Sequence, residues 1–196
     1  TRQFPRFVLA QAESRWDYTP TDEVAGKRVL VVGAGDVGEA ICRRLEPFDV
    51  SLTRVARTPR PGVLGVAELP RLLGDADVVV LAVPLTGATT RMVDAAFLAA
   101  MRDGALLVNA ARGPVLDTDA LLAELRSGRL RAALDVVDPE PLPPDHPLWM
   151  VPGLLLTPHV AGSVPGLWSR AYRLVGAQLR RFLAGEPLVN QVTGDY

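Results

Sequence analysis

The run Val31-Val32-Gly33-Ala34-Gly35-Asp36-Val37-Gly38 constrains this 196-residue chain more than any other stretch. It sets G-x-G-x-x-G directly after an apolar strand-like segment and directly before a helix-like one. In that place Gly33 permits a tight turn, Gly35 lets the backbone approach a pyrophosphate, and Gly38 brings the helix against the strand. The free N–H groups at the helix start, from Asp36 and Val37 onward, would then face phosphate oxygens. Glycine-rich strand-to-helix turns also occur without a ligand. The weight of the reading therefore falls on the residues beyond the loop.

Past Gly38, short Val- and Leu-rich runs alternate with longer segments of helical period. The pattern predicts strands over 28–32, 50–54, 77–82, 105–109, 131–135 and 154–157. It predicts helices over 37–46, 67–73, 89–101, 117–127 and 163–183, with a further helical stretch over 4–15. The short runs are too apolar to leave one face wet, as expected when helices cover both sides of a parallel sheet. Asp117 is placed to cap the helix that begins beside it, and Gly128 to close that helix. The fold class is therefore α/β, a Rossmann-like, doubly wound parallel sheet forming one nucleotide-binding domain.

Composition closes off other classes. Hydrophobic residues make up 48% of the chain and charged residues 22%, the balance of a globular protein with a real core. A formal net charge of −1 leaves no basic surface for nucleic acid or an anionic membrane. No apolar run is long enough to span a bilayer, and the first residues carry no signal-peptide pattern. The one cysteine, Cys42, has no partner for an internal disulfide and reads as a small core residue. A reducing cytoplasm is the expected location, and no metal site is expected.

In open parallel sheets, ligands bind beyond the carboxyl ends of the strands. Judged by that rule, the chain gathers its chemistry on one edge. The glycine loop comes after the first strand, and Val83-Pro84-Leu85-Thr86 after the third. Arg112 lies three residues beyond the fourth, and Asp135 ends the fifth. Glu140 stands in a stiff loop, 138–153, that holds six prolines. His159 lies two residues beyond the sixth. Taken singly, each of these would pass for a surface charge or a structural side chain. Their convergence would not. His146, between Asp145 and Pro147, is expected to be structural, Asp138 a solvated carboxylate, and Trp149 a packing residue for the loop.

The chain resembles the nucleotide-binding domain of the D-isomer-specific 2-hydroxyacid dehydrogenases. The matching stretches are 31–38, 81–86, Leu107-Val108-Asn109-Ala110-Ala111-Arg112-Gly113, Ala133-Leu134-Asp135-Val136, Glu140-Pro141-Leu142-Pro143, His146-Pro147-Leu148-Trp149 and Thr157-Pro158-His159-Val160-Ala161-Gly162. They span nearly all of 27–163 in order. The resemblance implies a catalytic set of Arg112, Glu140 and His159. Arg112 would clamp the substrate carboxylate and polarise the 2-oxo group, a task for a planar bidentate donor. His159 would protonate the carbonyl oxygen as hydride arrives from the nicotinamide. Glu140 would hydrogen-bond His159, fix its tautomer and keep it usable as an acid near neutral pH. Asp135 would accept from the nicotinamide carboxamide. The implied cofactor-contacting set is completed by Gly33, Gly35, Asp36, Val37, Gly38, Val83, Pro84, Ala110 and Gly162, together with Arg112 and His159.

The end of the second strand bears on which cofactor. NAD-preferring members of the resembled family place an aspartate there, on the ribose hydroxyls. The corresponding position, 18 residues after Gly38, is Ala56. No acid occurs from Val50 to Gly65, whereas Arg54, Arg57 and Arg60 do. Losing that carboxylate removes a charge that would repel a 2′-phosphate, and an arginine beside it could pair with one. The expectation is NADP(H) in preference to NAD(H), with Arg57 the first candidate for the phosphate and Arg54 the second.

Family members carry a second, substrate-covering domain, built mostly from an N-terminal segment of roughly a hundred residues. This sequence begins at Thr1 with no initiator methionine, at what resembles the connecting region. The expected organisation is a linker helix and connection over 1–25, a dinucleotide-binding domain over 26–187, and a tail over 188–196. Pro187–Tyr196 reads as a strand returning to the absent domain. Two functional readings stand side by side: the cofactor domain of a reductase acting on a small 2-oxo or 2-hydroxy acid, or a stand-alone nucleotide-binding module without turnover. Keeping Arg112, Glu140 and His159 together favours the first. Phe4, Phe7, Val8 and Leu9 on the first helix would serve a homodimer contact.

Overall fold

The computed structural model describes residues 3–191. Strand β1 (Arg28–Val32) sits inside a sheet of seven strands, all parallel. On one side of it lie β2 (Ser51–Ala56) and, at the edge, β3 (Leu64–Gly65). On the other lie β4 (Val78–Leu81), β5 (Leu106–Asn109), β6 (Arg131–Leu134) and β7 (Leu154–Leu156), so the order is β3-β2-β1-β4-β5-β6-β7. The helices are α1 (Phe4–Ala12), α2 (Asp36–Leu45), α3 (Leu69–Leu73), α4 (Ala95–Ala100), α5 (Thr118–Arg126) and α6 (Leu167–Leu183). This is the doubly wound α/β architecture that the alternation predicts.

The period-2 geometry of a strand explains how β1 serves two cores. Leu30 and Val32 enter a large cluster with Val55, Leu81, Leu107, Leu121 and Leu134. Val29 and Val31 point the other way, toward Cys42 of α2 and Val80. Cys42 is fully buried, and that burial pushes its thiol up, which suits a packing residue rather than a nucleophile. The α5 start is capped as expected: Asp117 accepts from the Ala120 N–H at 3.1 Å. Gly128, at φ +72°, ends that helix. Among the described residues no helix is long and apolar enough to cross a membrane.

Several boundaries depart from expectation, for local chemical reasons. The helix expected over 89–101 shrinks to α4. Ahead of it the Thr89 hydroxyl donates to the Pro84 carbonyl at 2.6 Å, and Val93 pairs with the backbone of Val115 instead of a helical turn. Such threonine bonds compete with helical ones, and Asp94 caps the helix only afterwards. The segment expected over 67–73 opens as a 3-10 turn, Val66–Glu68, before α3. The last helix starts at Leu167, because Pro165 interrupts its expected first turn. The first ends at Ala12, and Ser14 turns left-handed at φ +54°. Strand β3 has two residues and no periodic signal. No strand forms over 187–191, contrary to the expectation for Pro187–Tyr196; residues 192–196 lie outside the described residues.

Candidate active site

The strand order reverses at β1, which has β2 on one side and β4 on the other, and this makes a crevice at the carboxyl ends of β1 and β4. The glycine loop lies there. Gly33, at φ +109°, packs so tightly that a Cβ would overlap the carbonyl of Ala82 at the end of β4. A Cβ on Gly38 would overlap the carbonyl of Gly33. Gly35 differs, since a Cβ there would meet nothing within 4 Å. Two glycines thus close the loop on the protein's own backbone, while the third faces open space. No side chain caps α2, whose N-cap is Gly35, so its first N–H groups stay available. Asp36 and Val37 lie exposed on that turn, with Val83 and Pro84 across the crevice at the end of β4. The cradle fits a dinucleotide pyrophosphate.

Beyond β2 the arginines separate. Arg57 is exposed at the strand's end. Arg54 turns toward α2, where Nε lies 3.3 Å from Glu39 and Nη2 lies 3.5 Å from Glu46. Both acids hold its guanidinium against α2. Arg60 lies in the turn that follows β2. Its N–H and carbonyl exchange hydrogen bonds with Val63 at 3.0 and 2.8 Å across Pro61-Gly62, with Gly62 at φ +78°, the turn chemistry of a type II bend. Its Nη2 reaches back to donate to the Ala34 carbonyl of the glycine loop at 2.5 Å.

At the end of β5 the buried Asn109 bends the exit loop. Its side-chain oxygen accepts from Ala111 N–H and its amide donates to the Arg112 carbonyl, each at 3.0 Å. Ala110 is the residue enclosed by that bend. Gly113 then passes against the loop leaving β6, where a Cβ would overlap the Val137 carbonyl. Between these fixed points Arg112 is exposed, its Nη1 resting on the Ala111 carbonyl at 2.6 Å.

The loops leaving β6 and β7 meet. His159 N–H donates to the Asp135 carbonyl at 2.7 Å, and His159 holds φ +54°. Its Nδ1 lies 2.7 Å from Glu140 Oε1. A carboxylate can only accept, so Nδ1 carries a proton whether the ring is neutral or charged, and Nε2 is left free of that contact. The Asp135 carboxylate accepts from the Thr157 hydroxyl and from the N–H groups of Val160 and Ala161. Burial alone would raise its pKa; the Thr157 bond and the two N–H bonds outweigh burial and hold it below the usual carboxylate range. Gly162 lies just past this cluster, exposed. His146 stands apart, its Nδ1 accepting from Leu148 N–H at 3.2 Å. Trp149 donates to the Pro143 carbonyl at 2.7 Å and fastens the proline loop.

A family model of the D-isomer specific 2-hydroxyacid dehydrogenase NAD binding domain matches residues 1–161. The chain belongs to this family. It is 38% identical over 171 residues to a glyoxylate reductase of Thermofilum pendens, covering 84% of this chain and 50% of that protein. It is 34% identical over 171 residues to the glyoxylate reductase/hydroxypyruvate reductase of Homo sapiens, covering 84% of this chain and 52% of that one. The chain therefore spans about half the length of these relatives. The crystal structure of a D-isomer specific 2-hydroxyacid dehydrogenase from Xanthobacter autotrophicus Py2, in complex with NADPH and MES, superposes with a TM-score of 0.86 at 39% identity, covering 98% of this chain and 81% of that one.

The matching family model is that of an NAD binding domain, and the cradle at the ends of β1 and β4 has the shape such a cofactor needs. Three residues make contacts around this edge that sequence reasoning did not assign: Arg60, Asn109 and Thr157. The Arg-Pro-Gly of 60–62 was the available signal for the first, since Pro-Gly marks a rigid turn. The other two act through partners 2 to 22 residues away.

Proposed function

We propose that this chain is the cofactor-binding part of an NADPH-preferring 2-oxoacid reductase. The observation that carries the reading is the 2.7 Å pairing of His159 Nδ1 with Glu140. It leaves Nε2 presented on the sheet edge that also bears Arg112 and the glycine loop. A binding module without turnover has no use for an imidazole oriented by a carboxylate.

Bound nicotinamide supplies hydride to C2 of the acid or accepts it in reverse. The chain's own residues do the rest. The Arg112 guanidinium binds the substrate carboxylate and draws charge toward the 2-oxo oxygen. His159 gives its Nε2 proton to that oxygen, and in the opposite direction takes it back. Glu140 holds Nδ1–H and stabilises the charged ring between the two events. Asp135, with one N–H on Oδ2, retains acceptor capacity for a carboxamide.

Preference for the phosphorylated cofactor rests on the absence of an acid at Ala56 and on two arginines, Arg57 and Arg60, around the place of the adenine ribose. Glyoxylate and hydroxypyruvate are the substrates to try first, because relatives are named for them. The domain reading keeps 26–187 as the nucleotide-binding unit, 1–25 as its connection and 188–196 as a tail. A homodimer contact through α1 agrees with Phe4, Val8 and Leu9 standing 71%, 61% and 65% exposed. Light scattering at micromolar concentration should give twice the chain mass, and a monomer would remove the dimer from the proposal.

The deciding experiment is side-by-side calorimetric titration of this chain with NADPH and NADH, then an assay of glyoxylate reduction by the full-length protein. Tighter NADPH binding with turnover that vanishes in His159→Gln is expected. Turnover that survives that substitution would overturn the assigned chemistry.

A further inference from the structure

Asp135 surrounds His159 with four hydrogen bonds from one residue. Its carbonyl accepts the His159 N–H at 2.7 Å. Its Oδ1 accepts the Thr157 hydroxyl at 2.6 Å and the Val160 N–H at 3.0 Å, and its Oδ2 accepts the Ala161 N–H at 3.0 Å. The partners are the residue two before the histidine, the histidine itself, and the two after it. His159 meanwhile holds φ +54°, a left-handed conformation uncommon outside glycine.

We propose that Asp135 is a positioning residue for His159, its carboxylate stapling Thr157, Val160 and Ala161 so that the left-handed turn and the imidazole it carries stay in place. The proposal rests on the reading of His159 as the proton donor. The two carboxylates divide the work. Glu140 fixes the ring's rotation through Nδ1, and Asp135 fixes the backbone from which the ring hangs. Three donors on one carboxylate demand the ionised form, and those same bonds keep Asp135 ionised against its partial burial. The cofactor-facing contact of Asp135 does not explain this arrangement, because a carboxamide acceptor needs neither Thr157 nor the N–H of Val160.

Two isosteric variants separate the roles. Asp135→Asn opposes an NH2 group to an N–H or hydroxyl donor and breaks the staple on at least one side. Thr157→Val removes one donor and leaves the carboxylate whole. The chain has two histidines, so the Cε1–H signals of His146 and His159 can be followed separately by NMR in the 196-residue chain, with His146 as the internal control. Both variants should move the His159 signal, leave that of His146 in place, and speed amide exchange at Val160 and Ala161 by about tenfold or more. NADPH affinity in Thr157→Val should change by less than about threefold, while kcat falls by about 10–100-fold with the KM for NADPH unchanged. If the His159 signal and the two amides stay as in the parent chain, or if Asp135→Asn weakens NADPH binding and does nothing else, the staple is wrong. Should Asp135→Asn fail to fold, Thr157→Val decides alone. A failure of the functional reading looks different, since His159→Gln would then retain turnover while the NMR result still reports on the staple.

Discussion

Nη2 of Arg60 donates to the Ala34 carbonyl at 2.5 Å, so a cation from the turn after β2 rests directly on the glycine loop. Its backbone is held by the Pro61-Gly62 bend, and its other neighbour is Glu39 at 3.8 Å. Arg57→Ala and Arg60→Ala should each weaken NADPH binding by about 10–100-fold, the loss of a charge-assisted bond of about 1.5–3 kcal/mol. NADH binding should hold within about threefold, and Arg54→Ala should change the ratio of the two affinities little. Calorimetry on the three variants checks this; parallel losses for both cofactors would rule the phosphate role out.

Proton transfer gives a second expectation. His159→Gln removes the donor and should lower kcat by about 10²–10⁴-fold. Glu140→Gln leaves the ring but frees its tautomer, and should lower kcat by about tenfold or more with NADPH affinity unchanged. Steady-state kinetics paired with a binding titration separates these effects from damage to the cofactor site.

The three glycines of the loop should respond differently. Gly33→Ala forces a methyl into the Ala82 carbonyl at φ +109°, and should destabilise the fold by more than about 3 kcal/mol. Gly35→Ala meets only open space at an ordinary φ of −86°, so its urea midpoint should match the parent while pyrophosphate binding suffers. Equal destabilisation by both would show that Gly35 serves the fold rather than the ligand.

Acid should weaken one helix cap in a defined direction. The Ala120 N–H, and after it the Arg91 guanidinium, hold the Asp117 carboxyl below the usual range despite its partial burial. A carboxyl lowered in the folded state stabilises fully above its unfolded value of about 3.9, and that contribution fades as pH falls through the folded value. Asparagine caps as well as aspartate, so Asp117→Asn should cost less than about 1 kcal/mol at pH 7, chiefly the exposed Arg91 pair. The gap in urea midpoint between parent and variant should hold from pH 7 down to about pH 4 and narrow progressively below it. A gap that stays constant below that pH would assign the effect to something other than this charge.

Much of the architecture was legible because strands buried on both faces leave continuous apolar runs; β1 was placed at Arg28–Val32, as found. The site's edge was legible too, since the parallel-sheet rule turns strand order into position. The features that escaped depended on partners far along the chain. Arg60 reads as one basic residue among several until its bond to Ala34, 26 residues earlier, is seen. Arg54 looks equally available in the sequence, where nothing shows Glu39 and Glu46 packed against it. The start of α4 was misplaced because Thr89 bonds the Pro84 carbonyl, a competition that hydrophobic period does not register.

Strand β7 meets β6 through Ala132–Leu154, Ala133–Leu155 and Leu134–Leu156 only. These three rungs act as the ruler for the imidazole three residues further on. A slip by one residue would carry His159 about 3.3 Å along the sheet and turn the Thr157 hydroxyl to the opposite face. Leu154, Leu155 and Leu156 lie outside the proposed catalytic set, yet in that proposal they would set the height at which His159 delivers its proton.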